Sequence, residues 1–293
     1  MRKGWLMAGP CLLAVAAWSI AMPRPLAADS GRTASPAASA SITIASAVIP
    51  RSPAPPSSAS LLNRYAKAKP KLWGDHIPGV MTRLDTKDKV IALTFDACGG
   101  PKGNGYDNKL IDYLMEQNIP ATLFVNARWI DANPAIFSKL ASNPLFEIEN
   151  HGTEHRPLSV TGRSIYNIRG TKNAAAVITE VNGNEEKIAG LTGRRPLFFR
   201  AGTAYYDDVA VAIVHDLGLQ PVNYSVLGDA GATYNTNQVY KALLGAKPGS
   251  IVIGHMNHPE KDTAEGVMRA VPELRKEGYR FVQLADYKLK GSK

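Results

Sequence analysis

The sequence predicts an α/β fold of parallel strands, arranged as a barrel or a doubly wound sheet. Beyond Lys89, about seven short apolar runs alternate with about six longer amphipathic stretches, a pattern that calls for βαβ units. The reactive side chains gather just after the ends of the apolar runs, the face on which parallel barrels build active sites.

The first strand is predicted over Val90–Phe95, Val-Ile-Ala-Leu-Thr-Phe, which is apolar enough to be buried. A helix over Asn108–Gln117 leads to a strand over Ala121–Val125, and a helix over Pro134–Ala141 to a strand over Leu145–Ile148. The longest amphipathic stretch, Ala174–Ala189, precedes a short strand over Leu197–Phe199. Then come helix Asp207–Leu217, strand Pro221–Tyr224, helix Gln238–Leu244 and strand Ser250–Ile253. Helix Ala264–Glu277 and strand Tyr279–Leu284 close the pattern, which contains no internal repeat.

With 293 residues, 45% of them hydrophobic, the chain can form one large domain of about 200–250 residues with extra segments at an end. Arg2 and Lys3 precede the apolar run Trp5–Met22, and Ala27 and Ala28 precede Asp29. That order predicts a secretory signal peptide over residues 1–28, and hence export to the periplasm or the medium. If retained, the run would anchor the chain to a membrane, although Pro10 interrupts it. Pro10 before Cys11 does not suit lipid attachment. Residues 29–60, rich in Ala, Ser, Pro and Thr, read as a flexible tether, because they bury too little apolar area to offset ordering. The catalytic domain is assigned to residues 61–293, its folded part starting between Leu61 and Lys89.

Removal of the leader takes away Arg2, Lys3 and Arg24, so the net charge falls from +9 to +6. A basic surface suits an anionic envelope polymer. Nucleic acid is not expected as a partner, since no basic cluster is interleaved with aromatics. Nothing in the sequence points to an obligate protein partner. Cys98 is then the one remaining cysteine, so no intramolecular disulfide is possible.

His151-Gly152-Thr153-Glu154-His155 sets two imidazoles four residues apart, a spacing that lets both bind one metal ion. The letters also fit the H-x-x-E-H helix of inverted zinc peptidases. Gly152 and Pro157 oppose a continuous helix there, so a loop pair of metal ligands is predicted. Asp96 follows the first strand and precedes Gly99 and Gly100, placing it well as a base or a ligand. Arg200, leaving an apolar strand, needs a carboxylate partner, for which Asp96 and Asp229 are the candidates. His255, closing the sixth strand, can donate a proton near neutral pH, and His258 reads as a loop residue. Cys98 is read first as a small buried filler and second as a soft metal ligand.

Taken in order, these segments resemble the polysaccharide deacetylase family, also called the NodB homology or carbohydrate esterase family 4. Thr94-Phe95-Asp96 is similar to the start of its Thr-Phe-Asp-Asp motif, and His151 to His155 to its His-Ser/Thr-x-x-His motif. Phe199-Arg200 with Ala201-Gly202-Thr203 resembles Arg-Pro-Pro-Tyr. Ser225 to Asp229 lies where an aspartate-containing motif falls, and Ile253-Gly254-His255 resembles Leu-x-His. The resemblance spans roughly Lys89 to Tyr287. It implies a distorted (β/α)7 barrel of parallel strands and a metal-dependent hydrolase removing N-acetyl groups from a peptidoglycan- or chitin-like polysaccharide. By position it makes Asp96 the general base, His151 and His155 the ligands of a divalent ion such as zinc, and Arg200 the brace of Asp96. His255 becomes the general acid, Asp229 a further catalytic candidate, and a backbone N–H near Thr203 a contributor to the oxyanion site.

The departures are specific. Ala97 stands where the family has a metal-binding aspartate, which leaves Asp96 itself, Asp107 or water to fill the place. Gly152 replaces Ser or Thr, and Ala201-Gly202-Thr203 removes an aromatic residue from the substrate groove. Two other readings stay open: hydrolysis of a small cyclic amide or ureide, and an inactive glycan-binding module.

Overall fold

The computed structural model describes residues 57–291; the expected leader over 1–28 and the expected tether up to residue 56 lie outside the described residues. In chain order the elements begin α1 (Ser58–Tyr65), β1 (Trp73–Gly74), β2 (Met81–Leu84), β3 (Val90–Ala97), α2 (Asn108–Glu116) and β4 (Ala121–Val125). They continue α3 (Ala127–Ala132), α4 (Pro134–Ser142), β5 (Phe146–Asn150), α5 (Ala174–Thr192), β6 (Phe198–Phe199), β7 (Tyr206–Asp207) and α6 (Asp208–Asp216). The last are β8 (Gln220–Pro221), β9 (Val226–Leu227), α7 (Thr236–Leu244), β10 (Ser250–His255), α8 (Thr263–Lys276), β11 (Arg280–Val282) and β12 (Leu289–Gly291). The predicted strands and helices are found, most within a few residues of their expected ends. α1 begins at Ser58, so the expected boundary between tether and domain falls inside a helix whose Leu61 is fully buried.

The main sheet runs β12-β2-β10-β3-β4-β5-β6-β8, with β11 paired to the start of β3 and β9 to β10. Pairs β10–β3, β3–β4, β4–β5, β5–β6 and β6–β8 are all parallel. The sheet curls until Val222, just past β8, bridges Met81 of β2, with Asn223 N donating to Met81 O at 2.7 Å. It departs from a strictly parallel barrel at that seam, because β2 is antiparallel to β10 and β12 antiparallel to β2. β8 is shorter than the predicted Pro221–Tyr224 run, because past Pro221 the chain leaves β6 for β2: Val222 N donates to Phe199 O at 2.8 Å and Asn223 N to Met81 O.

Strand alternation divides the core. Ile91, Leu93, Phe95 and Ala97 point out to helices α2 and α8, packing with Leu110, Leu114, Val267 and Val271. Val90 and Ala92 point in, with Leu84, Phe124, Phe198, Val222 and Ile251. Thr94 and Asp96 continue that inner row by the two-residue period of a strand. α5 ends at Gly193, whose φ of +72° closes the helix in the left-handed region. Its length carries Glu180 and Asn184 across the end of β5.

Register does the positioning. Asp96 of β3 lies directly opposite His255 of β10, Val125 of β4 opposite Asn150 of β5, and Asn150 opposite Phe199 of β6. The residues that follow these ends therefore meet at one rim.

Candidate active site

Arg200 and Asp96 form the buried base of the site. Arg200 Nη1 donates to Asp96 Oδ1 at 2.7 Å and to Thr94 Oγ1 at 2.9 Å, while Thr94 Oγ1 donates to Val252 O at 2.7 Å. Arg200 Nε and Nη2 donate to Val222 O at 3.2 Å and Asn223 O at 3.1 Å, and its guanidinium lies 4.1 Å from the Phe124 ring centre. Of the two carboxylates left open by the sequence, Asp96 is thus the partner of Arg200. Asp96 Oδ2 remains directed at His151 Nε2, 3.6 Å away.

The His151–His155 loop is irregular, as glycine and proline predicted. Gly152 has φ +77° and His155 φ +60°, so no helix runs through the pair and the peptidase-type arrangement is excluded. His151 Nδ1 lies 2.9 Å from Arg200 O. A carbonyl only accepts, so Nδ1 carries the proton and a neutral His151 keeps its lone pair on Nε2. The His155 ring stands edge-on to it at 4.9 Å, and its Nε2 is buried without a hydrogen-bond partner.

Buried amides clamp this loop. Asn126 Nδ2 donates to the carbonyls of His151 and Gly152 at 3.0 and 2.8 Å. Asn150 Oδ1 accepts from Gly152 N and from Asn184 Nδ2, each at 2.9 Å. Glu180 accepts from Glu154 N at 3.0 Å and Arg156 N at 3.1 Å, and burial pushes its carboxyl up to about 7 against the pull of those N–H groups. A Cβ on residue 152 would come within 2.5 Å of Glu180 Oε1, which is why glycine replaces Ser or Thr here.

Cys98 Sγ lies 3.9 Å from His151 Nε2, and Cys98, His151 and His155 offer donor atoms all within 4.8 Å of one another. Two imidazole nitrogens and a sulfur suit a borderline ion such as zinc or cobalt, so the residues present fit a metal ion. Asp107 lies outside this group and caps α2, its Oδ1 accepting from Leu110 N at 3.0 Å. Burial raises the Cys98 thiol, but the His155 imidazole and contacts with His151 outweigh it and hold the pKa well below its usual value. Burial likewise opposes protonation of His151, and Asp96 and Cys98 reverse the sign and raise its pKa.

His255 sits across the rim from Asp96. Its Nδ1 donates to Asp229 Oδ1 at 2.8 Å and its backbone N to Asp229 Oδ2 at 2.7 Å, while Thr263 Oγ1 donates to the same Oδ2 at 2.8 Å. Burial alone would lower its pKa, yet the Asp229 carboxylate raises it well above the ordinary histidine value. Asp229 is thereby assigned to His255 and not to Arg200.

Thr203 stands in a tight turn after Arg200, closed by Ala204 N donating to Ala201 O at 2.8 Å, with its own hydroxyl buried and unpartnered. Gly202 lets that turn touch the His155 backbone, since a Cβ there would fall 2.3 Å from His155 C. His258 is a loop residue paired with Glu260 at 3.1 Å. The structure brings Cys98, read first as a filler and second as a soft ligand, to the two histidines; Asp96 and Cys98 share the i, i+2 spacing of one strand face. It did not single out Thr94, Glu180 or Asn223.

Residues 83–222 match the family model described as polysaccharide deacetylase. A peptidoglycan-N-acetylmuramic acid deacetylase of Bacillus subtilis is 27% identical over 210 residues, 69% of this chain and 72% of that protein. A peptidoglycan-N-acetylglucosamine deacetylase of Bacillus cereus is 26% identical over 224 residues, 71% of this chain and 92% of that protein. In fold, the chain is similar to a carbohydrate esterase family 4 pseudoenzyme from Bacillus anthracis, with TM-score 0.60 at 19% identity over 72% of this chain and 69% of that one.

The clamp on the histidine loop is open to direct measurement. Glu180→Ala strips the acceptor from the N–H groups of Glu154 and Arg156 and is expected to cost about 1–3 kcal/mol in urea denaturation. An unchanged unfolding midpoint would show that the loop holds itself.

Proposed function

We propose that this chain, which belongs to the polysaccharide deacetylase family, removes N-acetyl groups from an extracytoplasmic glycan of peptidoglycan- or chitin-like chemistry and releases acetate. It is a hydrolase of carbon–nitrogen bonds other than peptide bonds, as its relatives are. The observation that carries the reading is the β3–β10 register, which sets Asp96 beside His255 with His151 Nε2 3.6 Å from Asp96 Oδ2. The relatives named above act on peptidoglycan, and the signal-like leader is consistent with a substrate outside the cytoplasm. Among the described residues, no helix is long and apolar enough to cross a membrane.

His151 and His155 would hold a divalent ion, zinc or a related transition metal, which supplies Lewis acidity toward the amide carbonyl. Asp96 acts as the base. With Oδ1 fixed by Arg200, its Oδ2 takes the proton of the attacking water. His255 supplies the acid from Nε2, because Nδ1 is committed to Asp229. That proton goes to the departing nitrogen as the C–N bond breaks, leaving acetate and a free amino sugar. A backbone N–H near Thr203 would help hold the oxyanion.

Ala97 and the similarity in fold to a pseudoenzyme favour a second reading, a glycan-binding module without turnover. Acetate release from N-acetylated chitooligosaccharides and peptidoglycan fragments by the zinc-loaded protein decides between them. Binding to polymer without acetate release sinks the hydrolase. Turnover of cyclic ureides alone would move the substrate away from glycans.

Two kinetic predictions follow from the His255–Asp229 pair. His255→Ala is expected to lower kcat by about 10²–10⁴-fold with bound metal unchanged, as measured by acetate release and metal analysis. The active form of His255 is protonated, so activity is lost as pH rises through its elevated pKa. Asp229→Asn removes the charge that raises it, so the alkaline limb of the kcat profile should move to lower pH. An unmoved limb would assign that limb to another group.

A further inference from the structure

The metal assignment above leaves a third protein ligand open, and resting on that assignment we infer that Cys98 Sγ fills the place. The pleat of β3 supplies the first argument. Ala97 is fully buried on the helix side of the sheet, in the cluster with Ile91, Leu93 and Phe95. A carboxylate on that Cβ would point into apolar packing, away from both histidines. Asp96 faces the rim, and the next residue to share its face is Cys98. The ligand has moved one residue along the chain because the strand runs on through Ala97, which still pairs with Val125.

Distances supply the second. Bond lengths of about 2.0–2.1 Å to nitrogen and 2.3 Å to sulfur at a tetrahedral angle put the two donors about 3.6 Å apart. The observed separation of 3.9 Å is a few tenths longer, within the reach of a side-chain adjustment. As a thiol hydrogen bond the same contact is long and weak, and it leaves His155 Nε2 buried with no partner. Leaving such a nitrogen unmet costs about 1–3 kcal/mol. A cation shared by the three donors satisfies all of them together.

The loop after Cys98 is built to hold it there. Gly99 and Gly100 have φ of +69° and +85°, a region costly for side-chain-bearing residues. A Cβ on residue 99 would fall 2.6 Å from Trp129 N, and one on residue 103 would fall 2.5 Å from Gly99 O. Gly99 N donates to Gly103 O at 3.0 Å and Gly103 N to Gly100 O at 2.9 Å, closing a tight return. The glycines thus fold the segment directly back onto α3 and keep Cys98 at the rim. A thiolate in the ligand set biases the site toward zinc, cobalt and cadmium and against magnesium and manganese.

Cobalt(II) reads the assignment without reference to turnover. The metal-free full chain, titrated with cobalt(II), should bind one equivalent and develop a sulfur-to-cobalt charge-transfer band in the near ultraviolet. Cys98→Ser should lose that band while the visible cobalt bands persist with affinity weakened by about tenfold or more. Cys98→Asp should restore tight binding without the band, which guards against misreading a damaged fold. One bound cobalt without the near-ultraviolet band in the unmodified protein overturns the inference, as does a band that survives in Cys98→Ser or a protein that binds no cobalt. Acetate release by a cobalt form lacking the band rejects Cys98 and leaves the deacetylase reading standing. A Cys98-dependent band in a protein that releases no acetate supports the ligand and rejects the deacetylase.

Discussion

A guanidinium with no solvent exposure has to be met on every side, and Arg200 is the constraint around which this domain is organised. Burying such a charge unpaired costs several kcal/mol, so the fold must deliver acceptors to it. It does so from two directions: Asp96 and Thr94 come from β3, and the carbonyls of Val222 and Asn223 come from the segment after β8. These segments are far apart along the sheet and meet only because it curls. The same residue's carbonyl accepts from His151 Nδ1 and thereby sets the tautomer of a metal-binding candidate. Curvature of the sheet, orientation of the proposed base and chemistry of the histidine are linked through one side chain.

What Arg200 does with charge, asparagine does without it. Asn126, Asn150, Asn184 and Asn223 are fully buried, and each donates to a backbone carbonyl, those of His151, Val181, Val125 and Ala204 in turn. A carboxamide carries both a donor and an acceptor and has no charge to desolvate, so it suits a dry strand end where a loop leaves the sheet. The histidine pair consequently sits on a loop, while Asp96 and His255 lie at the ends of strands β3 and β10. That loop is still tied to the sheet by short side chains with few rotamers. His155 at φ +60° is a backbone conformation that stands only where its surroundings enforce it, and the Gly202 turn and Glu180 do so from opposite sides.

Much of this was legible in the residue order. The strands that carry the site are runs too apolar to be anything but buried, and the polar residue ending each run could be placed on one face before any contact was known. Gly152 and Pro157 told against a helix between the histidines, and the loop is irregular. Other features depended on partners distant in sequence. The antiparallel β2 is too short and too mixed to stand out, and it exists because the curled sheet presents an edge to cover. Arg200 could be matched to Asp96 or to Asp229, a choice settled only by the fold, which gives Asp96 to Arg200 and Asp229 to His255. Cys98 looked like a filler because a single cysteine after a strand usually is one. Only the extension of β3 through Ala97 shows that residue 98 returns to the face of Asp96.

Asp96 and His255 illustrate how a proposed base and a proposed acid can sit on a single pair of neighbouring strands. Asp96 and His255 are direct neighbours across β3 and β10, close enough to neutralise each other had they been paired. Each is instead bound from behind by a group of opposite charge: Asp96 by Arg200, His255 by Asp229. Asp96 keeps one oxygen turned toward the metal-binding candidates, and His255 is held at Nδ1 by Asp229. The Asp229 carboxylate favours the protonated form of His255, which a proposed general acid needs. Asp96 and His255 are thus kept from pairing with each other by their own partners rather than by distance. A substrate amide lying between them would meet a proton acceptor on one side and a proton donor on the other.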